Sequence, residues 1–119
     1  MSSEALSGAC HCGAVRLTIP RRPDFINDCN CSLCTKRGAI WAYFRPGEVR
    51  IEGDTHSYVR ADTPTPCLAP HWCTTCGCTT HWTPLLADLE RMGVNAGLFE
   101  LESMAGIEIR AADGRSWPV

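Results

Sequence analysis

Strict alternation of apolar and polar side chains marks three short stretches as half-buried strands. Val15, Leu17 and Ile19 alternate with Arg16 and Thr18, and Pro20 ends that run. Val49 and Ile51 alternate with Arg50 and Glu52, and Gly53-Asp54 then marks a turn. Ile107, Ile109 and Ala111 alternate with Glu108 and Arg110, and Asp113-Gly114 reads as a turn leading to Trp117. A fourth stretch, IWAYF at 40–44, is an unbroken apolar run of β-forming residues stopped by Pro46-Gly47. Helix signals are sparse. One helical turn is expected after Cys34, through Lys36. Thr83-Pro84 either caps a helix carrying Leu85, Leu86, Leu89 and Met92 to a stop at Gly93, or opens an ordered loop. The pattern predicts a mainly β domain with few short helices and long, Pro-containing connections.

At 119 residues the chain has the length of one domain, so residues 1–119 are expected to share a single core. A domain of this size has a thin stability margin, which makes metal staples physically sensible. The formal net charge is −2, and the basic residues are scattered among acids. Nucleic-acid binding, which calls for a basic patch or stripe, is therefore not expected. The opening MSSEALSGAC lacks the basic start and apolar run of a secretory signal, and no stretch reaches the ~20 apolar residues of a membrane span. No membrane association is expected, and a cytoplasmic location is.

Nine cysteines change the picture. An odd count in a reducing compartment argues for metal rather than disulfides. Cys10-His11-Cys12-Gly13 is a C-x-C-G unit, and Cys73-Thr74-Thr75-Cys76-Gly77 is a C-x-x-C-G unit. Glycine after the last cysteine takes positive φ without a Cβ clash, so backbone N–H groups can curl toward the sulfurs. Cys10, Cys12, Cys73 and Cys76 together supply the four ligands of a tetrahedral structural zinc; the competing reading is a set of buried free thiols.

The middle cluster, Cys29-Asn30-Cys31-Ser32-Leu33-Cys34, has three sulfurs and no following glycine. With residues 25–31 extended, Cys29 and Cys31 share a face, and Cys34 returns after a turn. Three ligands leave one position open, the pattern of a catalytic zinc site. Cys67, Cys78, His11, His56, His71 and His81 are rivals for that fourth position, and any of them would make the site structural. Cys73, Cys76 and Cys78 offer an alternative grouping, at the expense of Cys10 and Cys12. WCTTC also resembles a redox motif, but the GCTTHWTP that follows does not describe the helix such a motif requires.

Around the three-sulfur site, Lys36 and Arg37 are candidates to attract substrate carboxylates, or are surface charges after a turn. Trp41, Tyr43 and Trp82 wall a pocket or belong to the core. Asn95 orients a polar substrate or holds a turn.

The chain resembles the glutathione-dependent formaldehyde-activating enzymes, which share the Mss4-like zinc fold. GACHCGAVRL (8–17), CNCSLCTKRGAIWAYF (29–44), WCTTCGCTTHW (72–82) and RMGVNAGL (91–98) carry the likeness in order along most of the chain. The resemblance implies folded-over antiparallel β-sheets with two Zn2+ sites, a structural one on Cys10, Cys12, Cys73 and Cys76 and a second on Cys29, Cys31 and Cys34. It implies a carbon–sulfur lyase that joins formaldehyde to glutathione, or acts on a related thiol/aldehyde adduct. The alternative is a non-catalytic zinc-binding module in which both metals are structural.

Overall fold

A computed structural model of the chain describes residues 5–113. The described residues form two β-sheets with few short helices. The smaller sheet has the order β1-β2-β5, from Leu6–Ala9, Arg16–Ile19 and Arg50–Glu52. The larger has the order β10-β3-β4-β9-β8-β7-β6. Its strands are β3 (Ile26–Cys29), β4 (Trp41–Phe44), β6 (Thr55–Ser57), β7 (Leu68–Cys73), β8 (Thr79–Pro84), β9 (Met92–Asn95) and β10 (Ile109–Ala112). Helix α1 is Ser32–Arg37 and α2 is Leu101–Met104. Pairing among the described strands is antiparallel except between β10 and β3, which run parallel.

The alternation at 15–19 has its physical cause in the core. Val15, Leu17 and Ile19 are fully buried, and with Ala42, Phe44, Met92, Val94 and Phe99 they form one cluster shared by both sheets. The run at 40–44 is unbroken because β4 is central and covered on both faces. Ala42 and Phe44 enter the shared core. Trp41 and Tyr43 turn the other way, into a second cluster with Ala39, Trp82, Cys34, Leu68 and Leu89. The Trp82 ring crosses directly over Gly93 of β9, in the space that a Cβ would take.

Three features differ from the sequence-based expectation. The alternation at 107–111 does become a strand, β10, but not a half-buried one: Ile109 is 63% exposed and Ala111 is exposed as well. The 83–93 segment is not a helix: β8 continues through Pro84, and turns lead from there to β9 at Met92. Leu85 and Leu86 are exposed there, while Leu89 packs on the second cluster. The segment thus takes the ordered-loop form. Helix α1 also begins earlier than expected, at Ser32, so that Cys34 lies inside it rather than before it. The turn expected at Asp113-Gly114 and Trp117 extends outside the described residues.

Candidate metal centres

Each paired-cysteine unit occupies the turn of a β-hairpin, one in each sheet. Between β1 and β2, the Gly13 N–H donates to the Cys10 carbonyl at 3.0 Å, and the Cys10 N–H donates to the Val15 carbonyl at 3.0 Å. Between β7 and β8, the Gly77 N–H donates to the Cys73 carbonyl at 3.0 Å, and the Cys73 N–H donates to the Cys78 carbonyl at 2.9 Å. Gly13 and Gly77 close these turns at φ 83° and φ 80°, a region that disfavours any side chain with a Cβ. The closed turns aim backbone donors at sulfur. The Val15 N–H reaches Cys10 Sγ at 3.3 Å, and the N–H groups of Thr75 and Cys76 reach Cys73 Sγ at 3.3 and 3.4 Å.

The two turns meet. Cys12 Sγ lies 3.7 Å from Cys10 Sγ and 3.6 Å from Cys73 Sγ. The sulfurs of Cys10, Cys12, Cys73 and Cys76 all lie within 4.8 Å of one another. Without a cation the four cannot ionise together. The N–H groups of Cys78 and Cys12 pull the Cys76 thiol down to about 5. The Ala14 N–H pulls Cys12 the same way, but desolvation and hydrogen bonds with the Cys73, Cys10 and Cys76 thiols prevail and push it up to about 11. A divalent cation resolves this conflict by favouring every thiolate at once. The donor set fits a soft metal ion, and an ion held there would tie the two sheets together through residues about sixty positions apart.

The second group is built where β3 runs into α1. Cys29 ends β3, Cys31 is the N-cap of α1, and Cys34 lies in its first turn. Cys31 Sγ accepts the Cys34 N–H at 3.4 Å, and the Trp41 indole N–H donates to Cys34 Sγ at 3.3 Å. Gly38, at φ 65°, ends the helix and satisfies the Cys34 and Thr35 carbonyls. The three sulfurs lie within 4.8 Å of one another, and among the described residues no further cysteine, histidine or carboxylate joins them. Burial above all pushes the Cys34 thiol up to about 12. Burial also opposes ionisation of Cys31, but the Cys34 N–H and bonds with the Cys34 and Cys29 thiols prevail and hold it below its ordinary value. This donor set also fits a soft cation, with one fewer ligand.

A cavity of ≈ 410 Å³ opens on the three sulfurs, within the size range of small-molecule sites. Trp41, Trp82, Leu68 and Leu89 give it apolar walls, and Arg37, Arg60 and Arg91 add positive charge. Tyr43 and Asn27 stand on the same wall, with the Asn27 side-chain amide donating to the Tyr43 hydroxyl at 2.5 Å. The Arg37 guanidinium lies over the Trp72 ring, 4.9 Å from its centroid, and its Nε has no hydrogen-bond partner. Lys36 lines a neighbouring ≈ 820 Å³ groove that shares Leu33, Arg37 and Arg60 with the cavity.

Asn95 is not on the cavity wall. Its side chain donates to the Thr79 carbonyl at 2.8 Å and accepts the Gly97 N–H at 3.0 Å, so it holds a turn. Arg60, Arg91, Asn27 and Cys67 line the cavity without having been singled out as substrate contacts. Arg60 and Cys67 lie in a loop with no motif, so only the fold brings them there.

None of the six rival ligands joins the three sulfurs, although Cys67 lines the same cavity, and two of the histidines are engaged elsewhere. His71 uses both ring nitrogens, on Thr55 Oγ1 and Thr83 Oγ1, each at 3.0 Å. It stacks on His81 at a centroid distance of 4.3 Å, and His81 Nδ1 bonds Thr80 Oγ1 at 2.8 Å. Burial, with His71 alongside, lowers the His81 pKa from 6.5 to about 4. The folded state therefore binds this proton less readily than the unfolded state. The sign follows: stability falls as pH drops from about 6.5 toward about 4, by on the order of 3 kcal/mol. Proton NMR should show the His81 imidazole neutral at pH 5 (a midpoint near its ordinary value would contradict the burial argument).

Fold and site define a class: a small β domain with two cysteine clusters able to hold metal ions, one of them open to a cavity. The sequence profile described as glutathione-dependent formaldehyde-activating enzyme matches residues 5–111, and the chain belongs to that family. A Rhodobacter sphaeroides protein of known crystal structure is similar in fold, with a TM-score of 0.65 and 26% identity over 88% of this chain and 100% of that one. No curated protein matches the chain. No described helix is long and apolar enough to cross a membrane.

Proposed function

We propose that the protein is a zinc-dependent carbon–sulfur lyase of the formaldehyde-activating type, joining or separating a small aldehyde and a carboxylate-bearing thiol such as glutathione. One observation carries this reading: a three-sulfur cluster faces a cavity walled by tryptophans and bordered by arginines. Family membership supports the same chemistry. Cys10, Cys12, Cys73 and Cys76 would hold a structural Zn2+, and Cys29, Cys31 and Cys34 a second Zn2+ with an open position. When bound there, the second ion supplies Lewis acidity, which favours ionisation of a thiol or polarises a carbonyl.

The chain's own residues do the rest. The Trp41 indole N–H fixes Cys34 Sγ, which holds the cluster's geometry. Trp41, Trp82 and Leu68 exclude water from the reacting carbon. Arg37, held over Trp72 with an unpartnered Nε, offers charge to a substrate carboxylate. Lys36 extends that charge into the adjoining groove.

The test is zinc-loaded protein mixed with glutathione and formaldehyde, with formation of S-hydroxymethylglutathione followed in time. Acceleration over the protein-free mixture is expected. A rate equal to that mixture would sink the proposal.

A further inference from the structure

The Tyr43 side chain is held by contacts that leave its hydroxyl hydrogen unclaimed. Phe25 meets its ring at a centroid distance of 5.8 Å, Trp82 packs edge-on at 6.2 Å, and the Arg91 guanidinium lies 4.9 Å from its centroid. The hydroxyl is fixed separately. The Asn27 side-chain amide donates to the phenol oxygen, and a phenol has a single hydrogen of its own to give. Because Asn27 occupies the oxygen as a donor, that hydrogen cannot point toward Asn27 Nδ2. No hydrogen bond among the described residues takes it up. Tyr43 and Asn27 line the same cavity as Cys29, Cys31 and Cys34. An O–H with a fixed oxygen, a pinned ring and no protein acceptor is arranged to donate to whatever occupies that cavity.

We propose that Tyr43 is a catalytic proton donor to the aldehyde oxygen, with Asn27 as the residue that positions it. The assignment rests on the thiol–aldehyde reading above and adds the proton donor that reading lacks. In the forward direction the thiol's proton has left to solvent, and the sulfur lone pair forms the C–S bond. The carbonyl π pair moves to oxygen, which takes the Tyr43 proton. The phenolate then recovers a proton from water at the cavity mouth, so the net change is addition of S–H across C=O. In reverse the phenolate removes the hydroxyl proton, the carbonyl reforms, and the C–S bond breaks with its electron pair on sulfur. Arg91, over the ring face, sits where it favours the transient negative charge.

The experiment compares wild type, Tyr43→Phe and Asn27→Asp with glutathione and formaldehyde, each with its metal content and melting temperature measured. Tyr43→Phe keeps the ring and its packing and removes only the donor. We expect kcat to fall by about 100-fold or more, with KM changed by less than about threefold and metal content and melting temperature unchanged. Asn27→Asp keeps Tyr43 but substitutes a carboxylate that accepts its hydrogen, so kcat should fall in the same direction. Tyr43→Phe turnover within about threefold of wild type, or an unchanged kcat in Asn27→Asp, overturns the proton-donor role while leaving the thiol–aldehyde reading intact. A wild-type protein that forms no adduct removes that reading and this proposal together.

Discussion

Cys73→Ser leaves the domain unfolded at room temperature. Cys73 is 1% exposed and ends β7. Its sulfur accepts two backbone N–H groups and faces Cys12 Sγ across the junction between the sheets. Serine there is shorter, harder and not ionised at neutral pH, so it makes a poor ligand for a soft cation. A structural zinc contributes on the order of 10 kcal/mol, comparable to the ~5–15 kcal/mol that separates a whole domain from its unfolded state. Removing one of four ligands therefore removes enough to unfold the chain. Circular dichroism with an equivalent of zinc reads the outcome, and a cooperative melt matching wild type would refute the four-sulfur assignment. Cys78→Ser is the companion experiment. Cys78 lies outside the four-sulfur group, so its variant should retain a cooperative melt. Loss of folding in both variants would instead favour the grouping of Cys73, Cys76 and Cys78.

The four-sulfur unit was legible in the sequence because its cause is local. A glycine after each cysteine pair reports a positive-φ turn, and both glycines adopt one. Strands β2 and β5 were legible for the same kind of reason, since one covered face imposes alternation. Strands β7 and β8 were not. Their sequences, LAPHWC and TTHWTP, show no alternation, because stacked histidines and threonine hydroxyls occupy interior positions that aliphatic residues usually fill. β9 hides in MGVN, where glycine and asparagine argue against a strand and tertiary packing overrides them. There Gly93 accommodates the Trp82 ring, and Asn95 bonds Thr79 and Gly97. The leucines at 85, 86 and 89 have helical spacing, yet only Leu89 packs against the second core cluster. Periodicity cannot tell a helix face from leucines on a loop. The cavity was legible only in part. Trp41 and Arg37 stand near the cysteines in sequence, whereas Arg60 and Arg91 arrive from distant segments.

Cys31→Ser should separate chemistry from folding. Serine is among the best N-cap residues, so its hydroxyl can accept the Cys34 N–H that Cys31 Sγ now accepts. Helix α1 keeps its cap. Neither core cluster contains Cys31, and the junction between the sheets lies elsewhere. The melting temperature should therefore stay within about 5 °C of wild type. The three-sulfur group, by contrast, loses one of its three donors. Zinc content should drop from about two ions per chain toward one, and turnover of glutathione with formaldehyde should fall by at least about 100-fold. Elemental analysis, thermal melting and the assay on one preparation read all three quantities. An unfolded variant would make the second cluster structural like the first. Full activity with one ion per chain would place the reaction somewhere other than the cavity beside Cys29, Cys31 and Cys34.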